Sequence, residues 1–408
     1  MKILLINKFL YPKGGDAIST LTTGTMLSKK GHEVIYWGME APENEEFPYK
    51  EYFVSHVDYD RPSSLFRQLK LSFNIFYSFE ARDKMNGLLK KVRPDIVHLN
   101  NFAHQISPSI LDVFKKQNIP VVMTLRDLKL VCPYWYSMLN GRPCEKCKDG
   151  KYYWCFINRC TKGSFSKSLV NTVEMYLHHK ILHIYDLIEV FISPSMFVKE
   201  KVKEMGFRRE PVFLPNFIDA GDYIPEFNPS QNVICYLGRL SAEKGLFVLL
   251  DAIKGMDIKL KIIGEGPLEK GLKSKVERER IGNVWFLGYK KGEELRDEVR
   301  KSMAVVLPSV WYENNPRSVI ESFALGKPVI GSRIGGIPEL VEDGITGLTF
   351  EPGNPRSLRE KIEALIREPD KIIEMGKNAR RFVETKLNPE VHYQELMKIY
   401  SMAIEKNK

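Results

Sequence analysis

Two cations and two carboxylates stand out for their setting. Arg239 and Lys244 lie in Leu237-Gly238-Arg239-Leu240-Ser241-Ala242-Glu243-Lys244-Gly245, between an apolar run and the amphipathic stretch 246–253. A strand-to-helix loop of this kind offers backbone amides and a positive helix end to an anion; Arg adds a fork of donors and Lys a point charge. That is chemistry for neutralising phosphate, which a diphosphate leaving group needs. Two cations taken alone would read as solvated surface charges. A second passage argues otherwise. In Pro308-Ser309-Val310-Trp311-Tyr312-Glu313-Asn314-Asn315-Pro316-Arg317-Ser318-Val319-Ile320-Glu321, two Glu residues flank a strand-to-helix turn and Pro316 fits the first helical position. A residue before proline avoids helical geometry, so Glu313, Asn314 and Asn315 belong to the loop. Glu321 falls five residues into the helix, about 7.5 Å further along its axis. The two carboxylates therefore suit separated parts of one extended ligand, with free helix amides aimed at phosphates between them. A nucleotide sugar has that length. Glu321 also sits among apolar residues, where an unpaired carboxylate is costly, so a hydrogen-bonding partner is expected for it.

The elements that must hold these residues follow from the hydropathy pattern. Apolar runs of strand length alternate with amphipathic stretches, as in parallel sheets covered on both faces by helices, so the class is α/β. Strands are expected at 3–7, 33–37, 95–99, 120–125, 189–193 and 212–215, and a second series at 233–237, 260–263, 284–287, 304–307 and 328–331. This makes two doubly wound domains, 1–217 and 231–388, joined by a linker at 218–230 that carries Pro225 and Pro229, with a final helix over 389–408. Such sheets bind ligands beyond the C-terminal ends of their strands, and two in tandem would turn those ends toward a shared crevice.

Composition agrees. The chain has 408 residues, 43% hydrophobic and 27% charged, which fits a globular protein of more than one domain and excludes disordered or fibrous classes. No run approaches the roughly 18 apolar residues of a membrane span, and Met1 leads directly into a strand, so a cytoplasmic location is expected. A net charge of +10 favours an anionic partner: nucleic acid, an acidic membrane face or a phosphorylated substrate.

The series Gly-Arg…Glu-Lys-Gly at 238–245, Ile263-Gly264-Glu265-Gly266-Pro267, the paired Glu313 and Glu321, Gly335-Gly336-Ile337-Pro338-Glu339 and Asp343-Gly344-Ile345-Thr346-Gly347 resembles family 4 of the retaining glycosyltransferases. With Lys13-Gly14-Gly15 near the start, the resemblance covers nearly the whole chain. It implies the GT-B fold, two Rossmann-like domains facing a cleft, with the last helix packing back on the first. It also implies roles. Arg239 and Lys244 would hold the donor diphosphate, Glu313 the sugar hydroxyls, and Glu321 the ribose. Gly14 and Gly15 would bring backbone amides to the donor phosphate. Gly264, Gly266, Gly288 and Tyr289 would lie near the base of a UDP- or GDP-sugar. His98 matches a recurrent family position, whereas Arg126, in Thr124-Leu125-Arg126-Asp127, stands where the family usually has His and puts the sugar's identity in question. The reaction would retain configuration without a carboxylate nucleophile or a required metal. The acceptor would be a glycan or lipid-linked oligosaccharide, as in bacterial and archaeal surface-polysaccharide synthesis. Competing readings are a GT-B nucleotide-sugar epimerase or phosphorylase, and a zinc-containing basic protein that binds nucleic acid. The last lacks an aromatic-basic sheet or a recognition helix.

Three further features remain. Cys144, Cys147, Cys155 and Cys160 have the spacing of a closed tetrahedral zinc site, the expected structural metal; reduced thiols and disulfides are the alternatives. Asp58-Tyr59-Asp60 has a metal-binding form but reads as a turn. Residues 64–91 and 164–185 mix cations with apolar residues, which suits either surface helices or basic amphipathic helices resting on an anionic membrane on the inner face.

Overall fold

The computed structural model describes residues 1–59, 72–228 and 232–408. It divides into two compact units, one of residues 1–136, 145–214 and 393–408 and the other of residues 137–144 and 215–392.

The first unit is built on a parallel sheet. Its strands are β1 (Lys2–Ile6), β2 (Glu33–Trp37), β3 (Ile96–Leu99) and β4 (Val121–Thr124); the short β5 (Met138–Leu139) and β6 (Arg142–Pro143) follow in a hairpin of the other unit, and β7 (Val190–Ser193) and β8 (Val212–Phe213) complete this sheet. The order is β2-β1-β3-β4-β7-β8, with parallel pairing throughout. Ile3, Leu4, Leu5 and Ile6 are fully buried, as expected for a strand covered on both faces. Helix α1 (Gly15–Lys29) follows β1, and α2 (Tyr153–Ile157) and α3 (Phe165–Tyr176) lie between β4 and β7.

The second unit repeats the plan with β9 (Val233–Leu237), β10 (Lys259–Ile263), β11 (Val284–Gly288), β12 (Ala304–Leu307), β13 (Val329–Ser332) and β14 (Gly347–Phe350), in the order β11-β10-β9-β12-β13-β14. All eleven expected strands form. The β5–β6 hairpin and β14 were not anticipated; β14 pairs with β13 over Val329 to Ser332. Helix α4 (Arg317–Ala324) follows β12, and α5 (Pro389–Lys406) ends the chain.

Chain order reverses around the first strand of each sheet. β1 is flanked by β2 and β3, and β9 by β10 and β12. A crevice opens at the C-terminal ends of strands at such a switch point. Those ends carry Asn7 and Lys8 in the first unit and Gly238, Arg239 and Ser309 in the second.

The contact boundary falls between Leu214 and Pro215, so the described part of the expected linker belongs to the second unit; residues 229 and 230 lie outside the described residues. From Tyr393 onward α5 belongs to the first unit: His32 Nε2 is 2.9 Å from Tyr393 Oη, and Asn407 Nδ2 donates to the Asn118 carbonyl at 3.1 Å.

Candidate functional site

In the second unit the cations and carboxylates picked out in the sequence meet at the β9/β12 switch point. After β9 the chain passes Gly238 and the exposed Arg239, then makes a short 3-10 turn, Ala242–Lys244, whose end aims Lys244 at the loop after β12. The two loops are tied together by the Val310 amide, which donates to the Glu243 carbonyl at 2.9 Å. Lys244 Nζ then reaches Glu313 Oε1 at 2.6 Å and lies 5.5 Å from the centre of the Trp311 ring. Glu313 is 5% exposed, and its Oε1 also accepts from Ser309 Oγ at 2.6 Å. Burial alone would raise the Glu313 carboxyl, but the Lys244 charge and the hydrogen bonds from Lys244 and Ser309 carry it below the ordinary carboxylate range.

Backbone closeness fixes this carboxylate. Gly336 N donates to the Glu313 carbonyl at 2.8 Å. At Gly335, where φ is +60°, a Cβ would stand 2.4 Å from that same oxygen, so only glycine lets the β13 loop press against Glu313.

Pro316 stands one position earlier than expected, as the cap of α4, and Glu321 is the helix's fifth residue. The partner expected for Glu321 is Arg317, whose Nε lies 3.3 Å from Oε1 one turn before it. Asn315 is buried and pins the loop: its carbonyl accepts from Asn216 Nδ2 at 3.0 Å and its Oδ1 from the Asn216 amide at 3.0 Å. Asn314 lies between these two anchored residues.

Gly264 follows β10 with φ +133°, and a Cβ there would lie 2.1 Å from the Gly238 carbonyl, which brings the β9 and β10 loops into contact. The Gly264 amide donates to the Gly288 carbonyl at 2.8 Å; Gly266 packs over Leu240; and Tyr289 presents a ring that is 60% exposed. These residues form a shelf beside the phosphate-type loop, of a kind that suits a planar base.

The residues expected in the first unit have more varied fates. Gly14 caps α1 with extended φ of −170°, a conformation open to any residue, and Gly15 opens the helix. Arg126 follows β4 and donates from Nε and one terminal nitrogen to Asn100 Oδ1, at 3.0 and 2.7 Å, so its guanidinium is fixed beside the end of β3. His98 requires correction as a catalytic candidate. It is 4% exposed, with Nδ1 2.8 Å from Tyr400 Oη and Nε2 2.7 Å from Thr124 Oγ1, so both ring nitrogens are engaged, the first tying α5 to the sheet and the second bridging β3 to β4. Asp58 is described, but Asp60, like residues 64–71 of the first basic segment, lies outside the described residues.

The cysteine segment also differs in detail. Cys147 is hydrogen-bonded with Cys132 and Cys155 with Cys160, whereas Cys144 sits at the end of the β5–β6 hairpin, its amide donating to the Ser137 carbonyl at 2.7 Å. Contact with Cys132, reinforced by burial, pushes the Cys147 thiol up. Among the described residues, no group of three or more His, Cys, Asp or Glu side chains is placed to hold a metal ion.

Several participants escaped the sequence reading. Ser309 and Arg317 position the two carboxylates. In the first unit Lys8 Nζ donates to the Ala103 carbonyl at 2.7 Å and interacts with Asp16 and Asp127, while Asp16 Oδ2 accepts from Asn101 at 3.0 Å. Burial lowers Lys8 and raises Asp127. The one available signal was position, since Lys8 follows the first strand and Asp127 the fourth.

Similarity to known proteins extends over both units. A family model described as Glycosyltransferase Family 4 matches residues 13–222, and one described as Glycosyl transferases group 1 matches residues 222–382. An uncharacterised glycosyltransferase of Methanocaldococcus jannaschii is 34% identical over 197 residues, 47% of this chain and 53% of the relative. A putative colanic acid biosynthesis glycosyltransferase of Escherichia coli, WcaL, is 29% identical over 212 residues, 48% of this chain and 52% of its own. The chain thus spans about half the length of these two relatives. HepE of Anabaena, solved in complex with UDP and glucose, superposes with a TM-score of 0.67 at 17% identity, covering 98% of this chain and 99% of that one. The fold is GT-B, two Rossmann-like units with parallel sheets. With more than half its length matched by one family model and most of the rest by the second, the chain belongs to glycosyltransferase family 4.

Proposed function

We propose that this chain transfers a sugar from a UDP- or GDP-sugar to a glycan or lipid-linked acceptor, with retention of configuration and without a divalent metal, in surface-polysaccharide synthesis. The observation that carries this reading is the Lys244–Glu313 pair at the β9/β12 switch point, beside the exposed Arg239. When a donor binds, its diphosphate offers Lys244 a stronger partner and Arg239 a bidentate one. Glu313, kept ionised, then accepts hydrogen bonds from sugar hydroxyls, and Glu321 from the ribose. The bond between the anomeric carbon and the phosphate oxygen breaks while the acceptor oxygen bonds to the same face, and the acceptor's proton passes to the departing phosphate. The two cations stabilise charge that grows on that phosphate, so they bind and catalyse together. The UDP in the HepE structure and the polysaccharide assignment of WcaL support the donor class and the setting.

A thermal-shift screen of nucleotide sugars tests the site: stabilisation by one donor, and none by its free sugar, is expected. Retention is read by NMR of the product's anomeric configuration, and activity in EDTA reads the metal question. Inertness toward every nucleotide sugar would sink the proposal.

We carry the structural zinc forward as a proposal separate from catalysis. The thiol contacts add Cys132 to the set, so an ion would have to draw the Cys132–Cys147 and Cys155–Cys160 pairs together. Elemental analysis showing metal-free protein overturns it.

A further inference from the structure

Helix α3 is amphipathic in the inverted sense. Its buried positions are largely polar: Ser168, Asn171, Thr172 and Glu174 are all 6% exposed or less. These residues are satisfied inside. Ser168 Oγ accepts from the Thr161 amide at 3.0 Å, Asn171 Nδ2 donates to Thr161 Oγ1 at 3.1 Å, and Glu174 Oε2 accepts from Lys129 Nζ at 2.7 Å and is paired with His104 Nε2 at 3.0 Å. Its outer face carries Phe165, Leu169 and Val173, exposed by 51, 44 and 44%. Spacings of four and eight residues place these three in one stripe about 80° wide.

The stripe continues beyond the helix. Ile157 at the end of α2 is 56% exposed, Ile181 68% and Leu182 45%, and Phe156 packs against Phe165 with ring centres 4.1 Å apart, joining α2 to α3. A soluble surface seldom gathers so many large apolar side chains in one place, and where it does the patch marks an interaction site.

Charge identifies the occupant. Between residues 151 and 183 the exposed charged side chains are Lys151, Arg159, Lys162, Lys167 and Lys180, all cations, and Arg159 lies 5.7 Å from the Phe165 ring centre. The one carboxylate in this stretch, Glu174, is turned inward onto Lys129. Two exposed acids, Asp149 and Asp186, lie just beyond the segment, and within it an apolar stripe bordered by cations matches the surface of an anionic bilayer, where apolar side chains enter the acyl boundary and Lys and Arg stay with headgroup phosphates.

We propose that residues 153–182 dock the protein on an anionic lipid bilayer through Phe165, Leu169 and Val173. This surface is independent of the donor site, and its test needs no turnover. The full chain is sedimented with vesicles of phosphatidylcholine alone or mixed with phosphatidylglycerol. Wild type is expected to pellet with the anionic vesicles at low salt and to be released as salt rises. The double variant Leu169→Ser/Val173→Ser should lose about tenfold or more in vesicle affinity. Lys162→Glu/Lys167→Glu should lose affinity for anionic vesicles and show a weaker salt dependence. Circular dichroism and the unfolding midpoint confirm that both variants fold, as expected for exposed positions. Wild-type protein left in the supernatant, or binding that neither variant weakens, overturns the proposal. So does a dimer in sedimentation equilibrium that Leu169→Ser/Val173→Ser dissociates, since a second copy would then cover the stripe.

Discussion

Lys244 Nζ and Glu313 Oε1 are 2.6 Å apart, so a cation from the β9 loop and a carboxylate from the β12 loop form one pair at the place where the donor is proposed to bind. Each holds the other ready for a different part of the ligand. Lys244→Met removes the phosphate partner and leaves a carboxylate that is 5% exposed without its counter-charge. Activity should fall by about 10²- to 10³-fold, the scale for losing one preorganised electrostatic group. Stability should fall as well, by up to about 3–5 kcal/mol if Glu313 stays ionised and less if it takes up a proton. Glu313→Gln, which removes the charge but keeps the shape, should lose kcat while keeping most of the stability. Steady-state kinetics and urea melts of both variants check the division.

Glu321 separates binding from chemistry. Its carboxylate pairs with Arg317 at 3.3 Å, and it lies well along α4 from the loop that carries Glu313. Held on the ribose, it should contribute about equally to ground and transition states. Glu321→Ala is therefore expected to raise the donor KM about tenfold with little change in kcat, the signature of lost uniform binding. A fall in kcat with KM unchanged would contradict the ribose role.

The central strands were legible because both their faces are buried, which produces continuous apolar runs, while the edge strands β2, β8 and β11 are partly exposed; β14 was missed because Gly347-Leu348-Thr349-Phe350 is short and adjoins a turn motif. The donor half of the site was legible for a related reason: Arg239, Lys244 and Glu313 all follow strands, where sheet topology must deliver them to one edge. What hid were contacts distant in sequence. Nothing near His98 announces Tyr400, 302 residues away, yet that bond engages the imidazole Nδ1. Ser309 and Arg317 were hidden at short range, since a hydroxyl or guanidinium four residues from a carboxylate becomes its partner only once the turn is known. Cys132 joined the thiol cluster the same way, from outside the regular spacing.

His98 then yields a prediction opposite to the one its sequence context suggests. His98→Ala removes a ring that bridges Thr124 on β4 and Tyr400 on α5, leaving two buried hydroxyls without this partner. Stability should drop by about 1–3 kcal/mol for each group left unsatisfied, while kcat of the remaining folded enzyme stays near wild type. Tyr400→Phe should be a milder version of the same lesion. Thermal midpoints and activity per folded molecule distinguish this from a catalytic role.

Acid should destabilise the first unit in two stages. Burial and the neighbouring cations lower His178, and burial pushes His179 down to about 3, so the unfolded chain binds protons first as pH falls below about 6.5. Glu174 responds further down. Burial alone would raise it, but the charges of His104 and Lys129 carry it well below the usual carboxylate range. Its contribution is therefore present above about 4.3 and fades as pH falls through its lower native value. Stability should begin to decline near pH 6.5 and steepen below about 4.3. Glu174→Gln, which leaves buried Lys129 without its ion pair, should lose about 3–5 kcal/mol at pH 7 and flatten the lower part of that curve. Urea midpoints from pH 7 to 3 report both.

Arg126 carries the last expectation, because its guanidinium is held in place at the end of β4 rather than loose. Two of its donors bond one amide oxygen, Asn100 Oδ1, which fixes the plane of the group. A fixed planar cation beside the strand ends suits a carboxylate or phosphate on the sugar or acceptor, where an imidazole would suit a neutral hydroxyl. Arg126→His is thus expected to lower kcat/KM for an acidic sugar donor, such as a UDP-uronic acid, by about 10- to 100-fold, the scale of one lost charge-assisted pair. It should leave neutral hexose donors unchanged or improved. Asn100→Ala, which frees the guanidinium without removing it, should produce a smaller loss in the same direction. Equal losses on acidic and neutral donors would assign Arg126 to the architecture of the loop rather than to the charge of the substrate.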